Sequence, residues 1–172
     1  MQERPGGVTF QGSPLTLVGP ELAAGDGAPD CELLGSDLAP VRLSDYAGKV
    51  RAILSVPSLD TPVCDTETRR FNAEAAGLGD GVVVLAVSMD LPFAQARWCA
   101  AAGIERVVTL SDHRQAAFGR AYGVLIKELR LLARAVFIAD PAGKLTYVQL
   151  VREMTDEPNY DEALGVARSL IS

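Results

Sequence analysis

Two runs of apolar residues constrain this chain more than any other feature. Val50-Arg51-Ala52-Ile53-Leu54-Ser55-Val56 and Val82-Val83-Val84-Leu85-Ala86-Val87 carry almost no polar alternation. A strand with one face in water alternates apolar and polar residues, whereas a near-continuous run is hidden on both faces. Pro57 stops the first run, and Val82 to Ser88 reads as the second buried strand. Between them, Asp65 to Ala76 has helical spacing, with Phe71, Ala75 and Leu78 on one side and Gly77 and Gly79 ending it. Strand, helix and strand in that order predict a crossover unit and a parallel pair buried within a sheet.

The remaining pattern extends this unit. Pro92 to Ala102 reads as a helix, with proline at its start and Gly103 after its end. Val107 to Leu110 is a third strand, and Gln115 to Tyr122 a short helix closed by Gly123. Leu131 to Ala139 and Lys144 to Leu150 flank the turn Asp140-Pro141-Ala142-Gly143 and read as a hairpin. Asp161 to Ile171 is an amphipathic helix with Leu164, Ala167, Leu170 and Ile171 on its apolar side. Upstream, Val8 to Val18 reads as two short strands about a Gly12-Ser13-Pro14 turn. Gly25 to Pro29 is a loop, and Cys31 to Leu34 and Val41 to Leu43 are short strands. The sum is an α/β layered fold with a mixed sheet. At 172 residues the chain is expected to form one domain over residues 1–172.

Composition removes several classes of function. Sixteen Lys and Arg against 22 Asp and Glu give a net charge of −6 and a sequence pI near 4.8, so nucleic acid and anionic membranes would repel the chain. The longest apolar run, Val82 to Val87, falls far short of the ~20 residues of a membrane helix. Glu3, Arg4 and Pro5 stand where a signal peptide would carry its apolar stretch, so a cytoplasmic location is the expectation. There is no GxxxxGK[ST] or GxGxxG loop and no GxSxG elbow. The single histidine, His113, reads as a solvated loop residue and builds no zinc site with Cys31, Cys64 and Cys99, whose spacing is wrong for ligands. No cofactor site is expected.

Three cysteines are too few for a disulfide scaffold, and CxxC is absent, so the question is whether one thiol is reactive. Ser55 to Thr68 departs from bland composition: a strand ends, Pro57 and Pro62 stiffen a loop, and Cys64 follows where a helix starts. The first turn of a helix offers free N–H groups and partial positive charge, which favour a thiolate. Asp60 and Asp65 oppose this if they lie close. On local context alone, Cys64 is as well explained as a small buried residue at a helix start.

Pro57-Ser58-Leu59-Asp60-Thr61-Pro62-Val63-Cys64 matches the PxxxTxxC signature of peroxiredoxins. Ser88-Met89-Asp90-Leu91-Pro92-Phe93-Ala94-Gln95-Ala96-Arg97-Trp98-Cys99 and Leu131-Leu132-Ala133-Arg134-Ala135-Val136-Phe137 resemble the thiol peroxidase subfamily, the bacterial atypical two-cysteine group. The resemblance runs from about Val8 to the C-terminus. It implies a thioredoxin-like mixed sheet flanked by helices, with an N-terminal β-hairpin. It also implies reduction of hydrogen peroxide and organic hydroperoxides, thioredoxin as reductant, and a homodimer. Position by position, Cys64 corresponds to the peroxidatic cysteine and Cys99 to the resolving cysteine, joined as an intramolecular disulfide. Thr61 corresponds to the threonine that orients peroxide and thiolate, Pro57 to the proline that shields the pocket, and Arg134 to the arginine that contacts both. Cys31 has no role in the family pattern. The alternative is a redox module of the same fold that oxidises at Cys64 and signals to a partner.

Chemistry agrees with these roles. Cleaving an O–O bond builds charge on the leaving oxygen, and fixed donors aimed at it lower the barrier. Arg134 is permanently cationic and lies among Leu132, Ala133, Ala135, Val136 and Phe137, so it needs a partner: a thiolate, or Glu128 or another acid. Thr61 has the alternative of bonding its own loop backbone. Cys99 has the alternative of core packing beside Trp98. Leu91, Phe93 and Trp98 suit a substrate pocket, a dimer contact or the core. If both cysteines sit in helices on one sheet, joining them requires local unwinding.

Overall fold

The computed structural model describes residues 1–171. The central parallel unit forms as expected. β5 (Val50–Ser55) pairs parallel with β6 (Val82–Ser88), and β6 pairs parallel with β7 (Val107–Ser111). The crossovers are α1 (Pro62–Ala75) and α2 (Pro92–Ala102). β6 and α2 begin and end where their sequence signals lie. Leu91 enters α2 in extended backbone ahead of Pro92, and Gly103 leaves it at φ 67 in the left-handed region.

Antiparallel strands widen this core on both sides. β10 (Ala135–Ala139) pairs with β5, and β11 (Leu145–Leu150) pairs with β10; β3 (Glu32–Leu34) pairs with β7, and β4 (Pro40–Arg42) with β3. The seven strands lie in the order β11-β10-β5-β6-β7-β3-β4. The two apolar faces separate by alternation, the signature of a sheet covered on both sides. Ala52, Leu54, Val84, Ala86, Val136 and Ile138 face one core with Phe71 of α1 and Leu164 of α4 (Tyr160–Ser169). Ile53, Leu85, Val87 and Phe137 face the other, with Phe118 of α3 (Ala117–Ala121).

A second sheet completes the opposite core. β1 (Glu3–Phe10), β2 (Ser13–Val18), β8 (Leu125–Ile126) and β9 (Leu131–Leu132) form an antiparallel ribbon, and Val8, Leu17, Ile126 and Leu132 bury against the main sheet. The N-terminal hairpin is present, with its turn at Gln11-Gly12, both at positive φ, and not at Gly12-Ser13-Pro14.

Other expectations shift. Leu131 to Ala139 is not one strand: β9 belongs to the ribbon and β10 to the main sheet, with Ala133 and Arg134 carrying the chain between them. Apolar character is the same on both sides of the break, so pattern alone did not reveal it. α1 starts at Pro62, three residues before Asp65, because Thr61 caps it. α3 is shorter than Gln115 to Tyr122, and α4 ends before Leu170 and Ile171. Among the described residues no helix is long and apolar enough to cross a membrane.

Candidate active site

The site is built where β5 leaves the sheet. Ser58 and the main chain of Leu59 are held by the Asp90 carboxylate: Ser58 Oγ donates to Oδ1 at 2.7 Å and Leu59 N to Oδ2 at 2.9 Å. Ser88 Oγ donates to the same Oδ2 at 2.8 Å, so the end of β6 anchors the loop after β5. Thr61 is the N-cap of α1, and Pro62 follows in its first turn, where a missing N–H costs no helical bond. Cys64 N donates to Thr61 Oγ1 at 3.2 Å, and that hydroxyl donates to the Ser58 carbonyl at 3.1 Å. The backbone-bonding role weighed for Thr61 is therefore present. The N–H of Cys64 itself is taken up by the cap.

The positive charge beside the sulfur comes from Arg134. Arg134 stands just before β10, in step with Val136 and Ile138, and reaches two side chains of α1. Its Nη1 donates to Cys64 Sγ at 3.1 Å and to Glu67 Oε2 at 2.8 Å; Nη2 donates to the Met154 carbonyl at 3.0 Å. Cys64 and Glu67 are fully buried and Arg134 is 1% exposed. Both kinds of partner weighed for Arg134, the sulfur and an acid, are present, but the acid is not Glu128, which is at the surface and accepts from Thr16 N. The acid that pairs is Glu67, one turn along α1 from Cys64. Its low position in a run of charged residues, Asp65 to Arg70, disguised it as helix surface.

Burial pushes the Glu67 carboxyl up to about 7, against the pull of Arg134. Burial also works against the Arg134 charge, but Cys64 and Glu67 outweigh it and hold the guanidinium above its ordinary value. The cation is thus maintained beside the sulfur, as a buried charge must be through its partners. Among the described residues, Glu67 Oε1 and Arg134 Nε find no hydrogen-bond partner, so the pair is tight but not saturated. Asp60 and Asp65, expected to oppose a thiolate, are directed elsewhere. Asp60 is exposed, and Asp65 binds Arg69 at 2.8 Å and the Trp98 indole N–H at 2.9 Å.

A cavity of about 280 Å³ opens over this arrangement, lined by Pro57, Thr61, Val63, Arg134 and Met154. Pro57 is buried and stands on its wall. Cys99 lies outside it, in α2, half-buried and beside Thr109 Oγ1 at 3.7 Å. Burial raises the Cys99 thiol above its ordinary value. All three cysteines are free thiols. Cys31 is buried in the opposite core, away from Cys64. Leu91 and Phe93 are exposed, whereas Trp98 is partly buried against the α1 side of the sheet.

The Redoxin family matches residues 23–164. A thiol peroxidase of Halalkalibacterium halodurans is 57% identical over 164 residues, covering 95% of this chain and 98% of the relative. One from Bacillus subtilis is 56% identical over the same shares of both chains. A crystal structure of a peroxiredoxin-like protein from Aquifex aeolicus, 49% identical, superposes with a TM-score of 0.89 over 95% of this chain and 96% of that one. A cysteine held by a buried arginine at a capped helix start, on this sheet and with these relatives, places the chain in the Redoxin family, among the thiol peroxidases.

Proposed function

We propose that this chain reduces peroxides at Cys64, is resolved by Cys99 and is recycled by thioredoxin. It is a thiol-dependent peroxidase by family. The observation that carries the site assignment is the 3.1 Å contact from Arg134 Nη1 to Cys64 Sγ, both residues being buried. In the first step the Cys64 sulfur attacks one peroxide oxygen. An S–O bond forms, the O–O bond breaks, and the other oxygen leaves as alcohol or water with a proton. Arg134 stabilises charge on the sulfur and on the departing oxygen. Thr61 turns its hydroxyl from the cap toward the peroxide, and Pro57 keeps water off the wall.

Cys99 then attacks the Cys64 sulfenic acid; an S–S bond forms and water leaves. Both thiols sit in helices, and Asp65 and Trp98, their immediate neighbours, are hydrogen-bonded across α1 and α2. Joining the sulfurs therefore goes with local unwinding of these helices. A dithiol reductant of the thioredoxin class returns both thiols. A cycle driven by thiol reductants suits the cytoplasmic setting expected from the sequence. The exposed Leu91 and Phe93 support a homodimer contact.

The test is peptide mass mapping after one equivalent of cumene hydroperoxide is added to the reduced protein. The expected product is a Cys64–Cys99 disulfide within one chain. Cys64→Ser should abolish oxidation, and Cys99→Ser should leave Cys64 oxidised without the bond. Sustained peroxide turnover with a thioredoxin system separates an enzyme from a sensor that oxidises once. An unmodified Cys64 would overturn the proposal.

A further inference from the structure

A segment distant in sequence completes the cavity beside Arg134. Phe10 and Gln11, at the tip of the β1–β2 hairpin, line it together with Thr61, Val63 and Met154. The Phe10 side chain is 43% exposed, so the core does not account for its position. The tip is held by the segment after β11. Thr9 N donates to the Arg152 carbonyl at 2.7 Å, and Met154 N donates to the Thr9 carbonyl at 2.9 Å.

The Glu153 side chain closes this junction. Oε1 accepts from Thr9 Oγ1 at 3.0 Å and from Gly12 N at 2.9 Å. Oε2 accepts from Thr155 N at 3.0 Å and from Thr155 Oγ1 at 2.8 Å. These donors hold the carboxyl down to about 2, so it is ionised throughout the working range. Gly12 sits at φ 83 in the turn, which aims its N–H at the carboxylate. The same segment faces the catalytic arginine, because the next residue, Met154, gives its carbonyl to Arg134 Nη2. One carboxylate thus ties the hairpin tip to the strap that supports Arg134.

We propose that Glu153 is a positioning residue that latches the hairpin tip over Cys64, and that Phe10, so held, determines how well the organic group of a hydroperoxide is accepted. The inference rests on the peroxidase reading above. Hydrogen peroxide has no carbon group to reach Phe10. An aryl or alkyl hydroperoxide places its apolar end against the ring while its O–O bond approaches Cys64 from the side of the Arg134 guanidinium, and gains from the contact. The carboxylate does not touch the reacting atoms. Its effect passes through the hairpin.

The experiment compares kcat/KM for cumene hydroperoxide with kcat/KM for hydrogen peroxide in the full-length chain, Phe10→Ala and Glu153→Gln, each with its thermal midpoint measured. The cumene-to-hydrogen-peroxide ratio is expected to fall by roughly tenfold in Phe10→Ala, mainly through KM, as for loss of an apolar contact worth a methylene or more. In Glu153→Gln it falls by about threefold, since the backbone bonds at Thr9 still hold part of the latch. Phe10→Ala leaves the latch chemistry intact, so it answers even if Glu153→Gln folds poorly. An unchanged ratio in both variants overturns the inference, as does an equal loss for both substrates, which marks the hairpin as a structural prop. If the unaltered chain reduces neither peroxide, the peroxidase reading itself fails and the latch falls with it.

Discussion

Cys64 and Cys31 are both buried thiols on opposite sides of one sheet, yet their surroundings differ in sign. Cys64 meets a guanidinium at 3.1 Å. Cys31 is raised to about 12 by burial, and the Asp112 and Asp30 carboxylates push it further in the same direction. Burial by itself therefore does not mark a thiol as reactive or inert. The nearest fixed charge does, because in a site closed to water that charge is weakly screened. The contrast also explains the presence of Glu67. A lone arginine in this core would be costly, and the acid that accompanies it makes the cation tolerable without removing it from the sulfur.

The comparison breaks most severely if Arg134 is replaced. Arg134→Met with Glu67→Gln, which avoids a lone buried acid, gives Cys64 the neutral apolar setting of a structural thiol. Stopped-flow oxidation by peroxide should slow by about 10²–10³-fold, the usual effect of losing a preorganised donor. A loss below tenfold would show that the guanidinium is mainly structural.

Glu67→Gln alone sharpens the contrast. The Glu67 carboxyl is raised from 4.5 to about 7 on folding, so the folded chain holds a proton that the unfolded chain releases. That contribution to stability is fully present below 4.5 and is lost as the pH rises through 7. Between these limits the unaltered chain should lose on the order of 2–3 kcal/mol that Glu67→Gln does not lose. Denaturant midpoints measured at about pH 5 and pH 7.5 for both proteins check this. Parallel pH dependences would mean that Glu67 stays ionised throughout.

The smallest effect belongs to Cys31. Cys31→Ala should leave peroxide kinetics and disulfide mapping unchanged and cost about 1 kcal/mol of stability for the vacated core volume. A change in the disulfide product would give Cys31 a place in the cycle.

Much of this was legible in the chain. β6 and α2 were bounded to the residue because an unbroken apolar run and a Pro–Gly pair are local signals. Cys64, Thr61 and Arg134 were found through motif resemblance, and the structure brings them together. Glu67 and Asp90 carry no local mark, because nothing in the neighbouring residues separates a structural acid from a solvated one: Glu67 is chosen by Arg134 and Asp90 by the loop after β5. The division of Leu131 to Ala139 was invisible for a related reason. A chain changing sheets can stay apolar throughout when both sheets share one core.

The hydrogen bond between Trp98 and Asp65 has a practical consequence. Trp98 is the sole tryptophan, one residue before Cys99, and Asp65 is one residue after Cys64. The Arg69 guanidinium lies 6.0 Å from the indole ring centre. Indole emission responds to neighbouring charge and to water, so parting α1 from α2 changes the fluorescence of one identifiable residue. The chain carries an intrinsic optical gauge between the two thiols of the proposed cycle, which can be followed in real time without a label.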